Sequence, residues 1–426
     1  MALTSVPNAI RTTIYDLLSA SGLPSCSVNF WGCDQLQTEG NNKGAAPLVL
    51  QIQHPGVIRS MFLQRDPLVL AEAYLNGFFD FSGALEELIQ LFREPPQPQL
   101  PTNLILRAWL EAMLLPALPK DQSRGGSRTA QQHTLQQDQA AIQHHYDVGN
   151  QFYQHWLDPR LVYSCAHFDN DSMDLATAQE RKLDLICQKL RLQPGETLLD
   201  VGCGWGALLR WAVEHYGVKG YGITLSAEQL AFNQAQIQTL GWGDRLQVEL
   251  RDYRDLPQQP TFDKAVSIGM VEHVGLKNYA TYFNQIMASL QPGGLFLNHG
   301  ITASREWRGR SLGERFINRY IFPNGELVRL STTLVAMENA GWEIADVDAW
   351  RPHYAKTLRH WAHNLEQALD QVIELVGERQ ARLWWVYLLG SAMAFENNDM
   401  GIYQVLLRRQ CDRTWDLPLS RSGWVC

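Results

Sequence analysis

A glycine-rich turn is the strongest sign of chemistry in this chain. Asp200, Gly202, Gly204 and Gly206 lie between a predicted buried strand and a helix with apolar residues on one side. Glycines allow the backbone to turn sharply and to approach a ligand where a Cβ atom would clash. The GxGxG spacing departs from the GxGxxG fingerprint of dinucleotide sites. It therefore predicts a nucleoside-binding turn, the alternative being a tight strand-to-helix turn without a ligand.

The spacing of this turn fits methyltransferases that use S-adenosylmethionine. In most of them an acidic residue at the end of the second strand binds the ribose. This chain instead has GITLSAEQ, with Thr224, Ser226 and Gln229 at that place. The difference points to one particular branch of the methyltransferases.

The elements that must position this turn are strands that alternate with helices from about residue 141 onwards. The predicted strands are residues 196–202, 219–224, 246–250, 264–270 and 293–301. Apolar strands alternating with helices are typical of an α/β fold with a doubly wound parallel sheet. In such a sheet, ligands bind outside the carboxyl ends of the strands, where the strand order reverses. Functional residues are therefore expected directly after these strands.

The first third of the chain has a different pattern. The alternating run LVLQIQ at 48–53 predicts a half-buried strand. The run DPLVLAEAYLNGFFDF supplies aromatic and aliphatic side chains for either a core or a lipid-contacting surface. Two stretches typical of linkers, 94–103 and 118–139, flank a helical segment. We predict an α+β domain over 1–93, a linker with a short helix over 94–140, and a catalytic domain over 141–426.

The composition is that of a globular protein with a sizeable core. Of the 426 residues, 45% are hydrophobic and 19% are charged, which is too apolar for a disordered chain. The net charge of −8 excludes a basic footprint for nucleic acid over the whole surface. The seven cysteines have no CxxC spacing, which indicates reduced thiols and neither a disulfide scaffold nor a zinc site. Without a signal peptide or spanning segment, we expect a cytoplasmic protein.

Seven short motifs together identify the family that the chain resembles. They are HHYDVGNQFY (144–153), LVYSCAHF (161–168), LLDVGCGWG (198–206), GITLSAEQ (222–229), SIGMVEHVG (267–275), YIFPNG (320–325) and HYAKTL (353–358). From about residue 141 to 409, the chain resembles the cyclopropane-fatty-acyl-phospholipid synthases and their relatives, the mycolic acid cyclopropane synthases. The resemblance implies a Rossmann-like class I methyltransferase domain and a smaller N-terminal α+β domain that binds lipid.

The resemblance also implies the residues of the site, and no metal ligand among them. The implied contacts of S-adenosylmethionine are Tyr163, Ser164, Asp200, Gly202, Cys203, Gly204, Thr224, Leu225, Gln229, Tyr253 and Arg254, with Asp252 beside the last two. The active site of the family holds a bicarbonate ion, and the matching positions here are Cys165, Glu272, His299, Ile301 and Tyr354. Each of these five residues alone also fits an ordinary structural role. Together, within their motifs, they favour the bicarbonate site.

In that family, S-adenosylmethionine donates a one-carbon unit across the cis double bond of an acyl chain in membrane phospholipid. Methyl transfer to an alkene leaves a carbocation, which requires a dry pocket and which aromatic faces attract by about 2 kcal/mol or more. Bicarbonate then removes a proton from the new methyl group and the ring closes, so we expect Glu272 and His299 to share a proton near that ion. The aromatic candidates for the pocket are Tyr163, Phe168, Tyr320 and Tyr354.

A substrate within a bilayer requires a peripheral docking surface. Residues 304–320 carry five arginines against two glutamates, which fits either phospholipid headgroups or a solvated face paired with acidic neighbours. We expect a homodimer at the inner face of the cytoplasmic membrane, with unsaturated phospholipid as its partner and no nucleic acid. Two alternatives are open: a methyltransferase that stops before ring closure, giving a branched or exomethylene product, and a lipid-binding protein without catalysis.

Overall fold

The computed structural model of the chain consists of two compact units. It describes residues 5–20, 25–39, 47–64, 66, 68–83, 100–119, 148–306, 309, 311–322 and 325–423. Unit 1 comprises Met1–Arg128, Arg310–Phe316 and Gly377–Trp384. Unit 2 comprises Thr129–Gly309, Ile317–Val376 and Trp385–Cys426. Each unit therefore contains segments that are far apart in the sequence.

Unit 1 is built on a four-stranded sheet with strand order β2-β1-β3-β4. Its strands are β1 (Cys26–Phe30), β2 (Gln35–Thr38), β3 (Leu48–Ile52) and β4 (Phe79–Ser82). Burial alternates along the first three strands, because successive side chains point to opposite faces of a sheet. Its helices are α1 (Asn8–Ser19), α2 (Pro55–Gln64), α3 (Leu68–Leu75) and α4 (Thr102–Leu114). This is the α+β arrangement that the sequence predicts for the N-terminal region.

Ion pairs attach two later segments of the chain to unit 1. Arg315 binds Asp66 at 2.5 Å, and Arg382 binds Asp80 at 3.0 Å. The guanidinium group of Arg382 also lies over the ring of Tyr74, 4.9 Å from its centroid. The helix predicted within the linker, α4, packs against α1 and α2 in this unit. The predicted boundaries at residues 93 and 140 stay predictions, since most of both linker stretches lies outside the described residues.

Unit 2 contains a seven-stranded sheet with strand order β10-β11-β9-β8-β5-β6-β7. The strands are β5 (Thr197–Val201), β6 (Lys219–Thr224), β7 (Leu246–Leu250), β8 (Phe262–Ile268), β9 (Leu290–Ala303), β10 (Trp342–Ala349) and β11 (Met400–Arg409). β5 to β9 pair in parallel, whereas β11 is antiparallel to both β9 and β10. The predicted doubly wound α/β fold is confirmed, and the strand order reverses at β5.

Helices cover both faces of this sheet. The helices from residue 148 onwards are α5 (Asn150–Gln154), α6 (Leu175–Lys189), α7 (Ala207–Tyr216), α8 (Ala227–Leu240), α9 (Val271–Val274), α10 (Tyr279–Ser289), α11 (Leu312–Tyr320), α12 (Leu330–Asn339), α13 (Arg351–Gln367), α14 (Leu369–Val376) and α15 (Glu378–Glu396). The successive residues Leu198 and Leu199 of β5 are both fully buried, each in a different core cluster. A strand buried on both faces explains the continuous apolar run of its sequence.

The predicted strands of the catalytic half agree with the structure, and β10 and β11 are additional. β6 and β7 have the predicted bounds, whereas β8 and β9 begin earlier than predicted. In the described part of the chain, each helix is too short or too polar to span a bilayer.

Candidate active site

A cleft opens at the carboxyl ends of the parallel strands of unit 2. It encloses about 980 Å³, including its mouth to solvent. The predicted cofactor residues that line it are Tyr163, Ser164, Asp200, Gly202, Cys203, Gly204, Thr224, Leu225, Gln229 and Tyr253. The cleft lies where the topology of a doubly wound sheet predicts a ligand site.

The glycine-rich turn has a backbone conformation that residues with a Cβ atom rarely adopt. Gly202 and Gly206 have φ angles of 85° and 73°. A Cβ atom at Gly206 would lie 2.0 Å from Oδ1 of Asn233. The side-chain nitrogen of Asn233 donates a hydrogen bond of 2.8 Å to the carbonyl of Gly204. The turn is thus fixed to α8, and glycine is required at position 206.

The polar residues after β6 hold one another in place. The hydroxyl of Thr224 donates to Oε1 of Gln229 at 2.8 Å. Ser226 is the N-cap of α8, and its Oγ accepts from the backbone N–H of Gln229 at 3.3 Å. This is the serine half of a capping box, with the glutamine at the third helical position. The motif therefore presents the buried side chains of Thr224 and Gln229 to the cleft.

Arg254 is the predicted cofactor residue that does not line the cleft. Its backbone N–H donates to Oδ1 of Asp252 at 2.8 Å, and its guanidinium group donates to Oδ2 at 3.0 Å. The cleft is lined instead by Arg251 and by the buried Asp252. Sequence reasoning did not assign Arg251 or Met270 to the site. Both come shortly after strand ends, which is the signal that could have found them.

A buried lysine that lines the cleft was also missed. Lys182 is 1% exposed, and its ammonium group donates a hydrogen bond of 2.9 Å to Oγ of Ser164. Burial lowers the pKa of Lys182 to about 8, although the nearby carboxyl groups of Asp158 and Asp200 oppose that shift. Burial raises the pKa of Asp200 to about 7, although Lys182 opposes that shift. The signal in the sequence is a lysine four residues after Ala178, on the buried stripe of α6.

The five predicted bicarbonate residues lie in two linked groups beside the cleft. Sγ of Cys165 is 3.9 Å from the carbonyl of Trp350, and the N–H of Tyr354 donates to the same carbonyl at 3.1 Å. The imidazole of His299 packs against the ring of Trp350, with centroids 5.1 Å apart.

The second group forms at β9. Oε1 of Glu272 accepts a hydrogen bond of 3.3 Å from the backbone N–H of Ile301. Ile301 and His299 are two residues apart on this strand, so their side chains share one face. β9 therefore carries both Ile301, whose backbone N–H binds the carboxyl group of Glu272, and His299, which packs against Trp350.

Glu272 and His299 each have a buried polar atom without a partner in the described part of the chain. These atoms are Oε2 of Glu272 and Nε2 of His299. Burial raises the pKa of Glu272 to about 7, although the N–H of Ile301 acts in the opposite direction. Burial, with the charges of Lys182 and Lys189, lowers the pKa of His299 well below its ordinary value. Proton sharing between Glu272 and His299 near a bound ion stays a prediction.

Comparison with known proteins identifies the family. The family described as mycolic acid cyclopropane synthetase matches residues 133–405, more than half of the chain. The chain belongs to the mycolic acid cyclopropane synthase family. Members of this family are S-adenosylmethionine-dependent methyltransferases, and the chain is an enzyme of that class.

Several relatives of this enzyme are similar to it over most of its length. The cyclopropane-fatty-acyl-phospholipid synthase of Escherichia coli K12 is 34% identical over 367 residues, 86% of this chain and 89% of that protein. A probable fatty acid methyltransferase of Mycobacterium tuberculosis is 38% identical over 392 residues, 89% and 91% of the two chains. Another probable fatty acid methyltransferase, from Pseudomonas putida, is 47% identical over 294 residues, 68% and 74% of the two chains.

The catalytic unit also resembles solved structures of the family. The mycolic acid cyclopropane synthase CmaA1 in complex with SAH and CTAB is 35% identical, with a TM-score of 0.60. The similarity covers 64% of this chain and 98% of that one.

Glu272 makes the stability of this cyclopropane synthase family member dependent on pH. The carboxyl group keeps its proton to about pH 7 in the folded chain, but loses it near 4.5 when unfolded. The folded protein therefore loses stability as the pH rises between these values. The side chain introduced by Glu272→Gln does not ionise. We therefore expect the difference in free energy of unfolding between Glu272→Gln and the wild type to be larger at pH 8 than at pH 4, in favour of the variant, by up to about 3 kcal/mol.

Urea unfolding at both pH values, in bicarbonate-free buffer, measures this difference. The substitution of the exposed Glu228 by glutamine is the control for the loss of a carboxylate. A stability difference for Glu272→Gln that stays constant with pH would contradict the assignment of a raised pKa to this group.

Proposed function

We propose that the enzyme is a cyclopropane-fatty-acyl-phospholipid synthase, which transfers a methylene group from S-adenosylmethionine to a cis double bond of an acyl chain in membrane phospholipid. The observation that carries the proposal is the pair Glu272 and His299, buried beside the cleft, each with a polar atom that no described residue binds. A neutral carboxyl group and an imidazole N–H are both donors. Such a pair suits a small anion such as bicarbonate.

The lining of the cleft fits S-adenosylmethionine. A Cβ atom at Gly204 would meet no atom within 4 Å, so the turn leaves space for a ligand against its backbone. The buried Asp252, two residues after β7, offers a carboxylate, and Tyr163 offers an electron-rich ring. When bound, S-adenosylmethionine supplies an electrophilic methyl group on a sulfonium centre. The backbone of Gly202 and the side chains of Thr224 and Gln229 would hold its nucleoside part.

The burial of Cys165 and Glu272 protects a carbocation on the lipid from capture. Burial raises the pKa of the Cys165 thiol far above its ordinary value, so it stays a neutral thiol. The pKa of Glu272, at about 7, keeps much of this carboxyl group neutral at physiological pH. Neither side chain is then a strong nucleophile next to the cation. Bicarbonate, when bound, supplies the mild base, and Cys165, Glu272, His299, Ile301 and Tyr354 would hold it.

Aromatic rings support the same neighbourhood. Trp361 packs against Tyr163 and Tyr354, with ring centroids 5.2 and 6.0 Å away. Electron-rich faces next to a desolvated cation stabilise it. Phe168 belongs elsewhere, because its ring stacks on His360 and carries the ammonium of Lys356 at 4.6 Å. The aromatic part of the proposal therefore rests on the rings around Trp361.

Access to the bilayer through a peripheral surface, and action as a homodimer at the inner face of the membrane, are part of the proposal. Within residues 304–320, Arg305 binds Asp399 at 2.9 Å, as the alternative of a face paired with acidic neighbours predicts. Arg315 is paired likewise in unit 1. Arg308 and Arg310 lie outside the described residues. Arg305 and Arg319 are the exposed arginines among the described residues of this segment.

A C-methyltransferase that stops before ring closure is the second candidate. Two relatives at 38% and 47% identity carry the name probable fatty acid methyltransferase, which supports it. A cyclopropane chain and an exomethylene chain are isomers, so mass alone does not separate them.

NMR of phospholipids from a host that expresses the enzyme tests both candidates. We expect the high-field proton signals of a cyclopropane ring, because the site beside the cleft has the donors for a bound base. Vinylidene signals in their place would support the second candidate. Phospholipid unchanged from that of the host without the enzyme would contradict both.

A further inference from the structure

A series of hydrogen bonds crosses the sheet to His299. Nζ of Lys189 donates to Oδ2 of Asp348 at 2.6 Å and to Oε1 of Gln404 at 2.7 Å. Nε2 of Gln404 lies 3.2 Å from Nδ1 of His299, its direct neighbour across the β9–β11 pair. The side chain of Lys189 is 6% exposed, and Gln404 and His299 are 1% exposed. Water therefore does not compete for the two bonds of Gln404, whereas the carboxylate of Asp348 is 39% exposed.

Lys189 fixes the direction of this series. An ammonium group only donates, so the amide of Gln404 must turn its oxygen to Lys189 and its NH₂ group to His299. Nδ1 of His299 then accepts a hydrogen bond and carries no proton. Because its pKa lies well below the ordinary value, the imidazole is neutral near pH 7. Its single proton is therefore on Nε2.

Trp350 fixes the plane of the same imidazole. Nε1 of the Trp350 indole donates a hydrogen bond of 2.8 Å to Oδ2 of Asp348. The same carboxylate also binds Lys189. The rings of Trp350 and His299 meet edge to face at 75°. A ring held on one side by Trp350 and at Nδ1 by Gln404 has little freedom to turn.

We propose that Gln404 and Lys189 are positioning residues that hold His299 in the Nε2–H tautomer, so that His299 donates a hydrogen bond to the bound anion and takes no proton from the lipid. Nε2 is buried and has no hydrogen-bond partner among the described residues. An N–H donor in this position requires an acceptor from a ligand. This inference rests on the proposed function, because the anion is the bicarbonate proposed above.

Gln404→Glu replaces the NH₂ donor that faces Nδ1 of His299 by an acceptor oxygen, in a side chain of nearly the same shape. A carboxylate at this position accepts from Lys189 and also from Nδ1 of His299, which moves the imidazole proton to Nδ1. Nitrogen NMR of the ¹⁵N-histidine-labelled full chain, with His299 assigned by a His299→Asn variant, reads the tautomer directly. We expect Nε2–H in the wild type and a protonated Nδ1 in Gln404→Glu.

Kinetics with bicarbonate as the varied component give the second readout. We expect the turnover of Gln404→Glu to fall at least about tenfold and its half-saturating bicarbonate concentration to rise by a similar factor. The dissociation constant for S-adenosylmethionine should stay within about twofold, since Gln404 does not line the cleft. A purely structural role would not change the bicarbonate dependence.

Gln404→Met keeps the test decisive if the charged variant does not fold. It removes both hydrogen bonds, and we expect a mixture of tautomers and a smaller loss of turnover. Gln285→Met is the matched control, because Gln285 is also buried but bonds to the carbonyl of Leu256. An Nδ1–H tautomer in the wild type, or an unchanged bicarbonate dependence in Gln404→Glu, overturns the inference. A wild-type enzyme that forms no ring instead overturns the proposed function, and the NMR result still decides the tautomer.

Discussion

Glu272→Gln is expected to abolish ring formation, with turnover reduced at least about 100-fold, the range for the loss of a group that transfers protons. Its carboxyl group has a pKa of about 7, so it gains and releases a proton at physiological pH. The amide of glutamine retains an acceptor for the N–H of Ile301 but has no titrating proton. NMR of the product formed on vesicles of unsaturated phospholipid measures ring formation, and labelled S-adenosylmethionine measures one-carbon transfer.

Calorimetry of cofactor binding separates chemistry from affinity in this variant. Glu272 does not line the cleft, so the dissociation constant for S-adenosylmethionine should stay within about twofold of the wild-type value. Glu228→Gln, on the exposed side of α8, is the matched control and should keep full turnover. If Glu272→Gln still closes rings at the wild-type rate, Glu272 serves as a donor only and takes no part in proton transfer.

Lys182→Met is expected to lower the free energy of unfolding by about 3 kcal/mol, because it removes a buried hydrogen bond from a charged donor and the positive charge that favours the ionised form of Asp200. Lys182 is 1% exposed, and its charge favours the ionised form of the buried Asp200. Its hydrogen bond to Ser164 is lost as well. Chemical denaturation at pH 7 measures the change, and Lys219→Met, at an exposed position, controls for the loss of a lysine.

A double variant tests the cause of that loss. Asp200→Asn in the Lys182→Met background removes the unpaired carboxylate, so we expect part of the stability to return. Additive effects of the two substitutions would show that Lys182 and Asp200 do not interact.

The sequence predicts the cofactor side of the site well, because its residues follow strands that are local in the chain. Gly202, Gly204, Thr224 and Gln229 belong to motifs of a few residues each, and the ends of β5 and β6 bring them together. Arg254 differs because its guanidinium group binds Asp252, two residues before it. Arg254 binds Asp252 and so does not extend into the cleft. The spacing of the residues in the sequence does not predict this contact.

The surroundings of His299 are harder to predict, because they depend on pairings between distant parts of the chain. Gln404 reaches His299 across 105 residues, and Lys189 reaches Gln404 across 215. Both contacts need β11 between β9 and β10, and neither β10 nor β11 is predicted from the sequence. A lysine at the end of an amphipathic helix is ordinarily a solvated residue. Only the tertiary fold shows that Lys189 is buried beside a glutamine.

The position of β11 has a consequence for the newly made chain on the ribosome. This strand is translated after every other strand of the sheet, yet it lies between two of them. Until residues 400–409 leave the exit tunnel, β9 and β10 each lack a neighbour, and such open edges attract chaperones or other chains. The glycine-rich turn can form before that moment, but His299 has no Gln404. A chain that is still being synthesised therefore lacks the contact that orients His299.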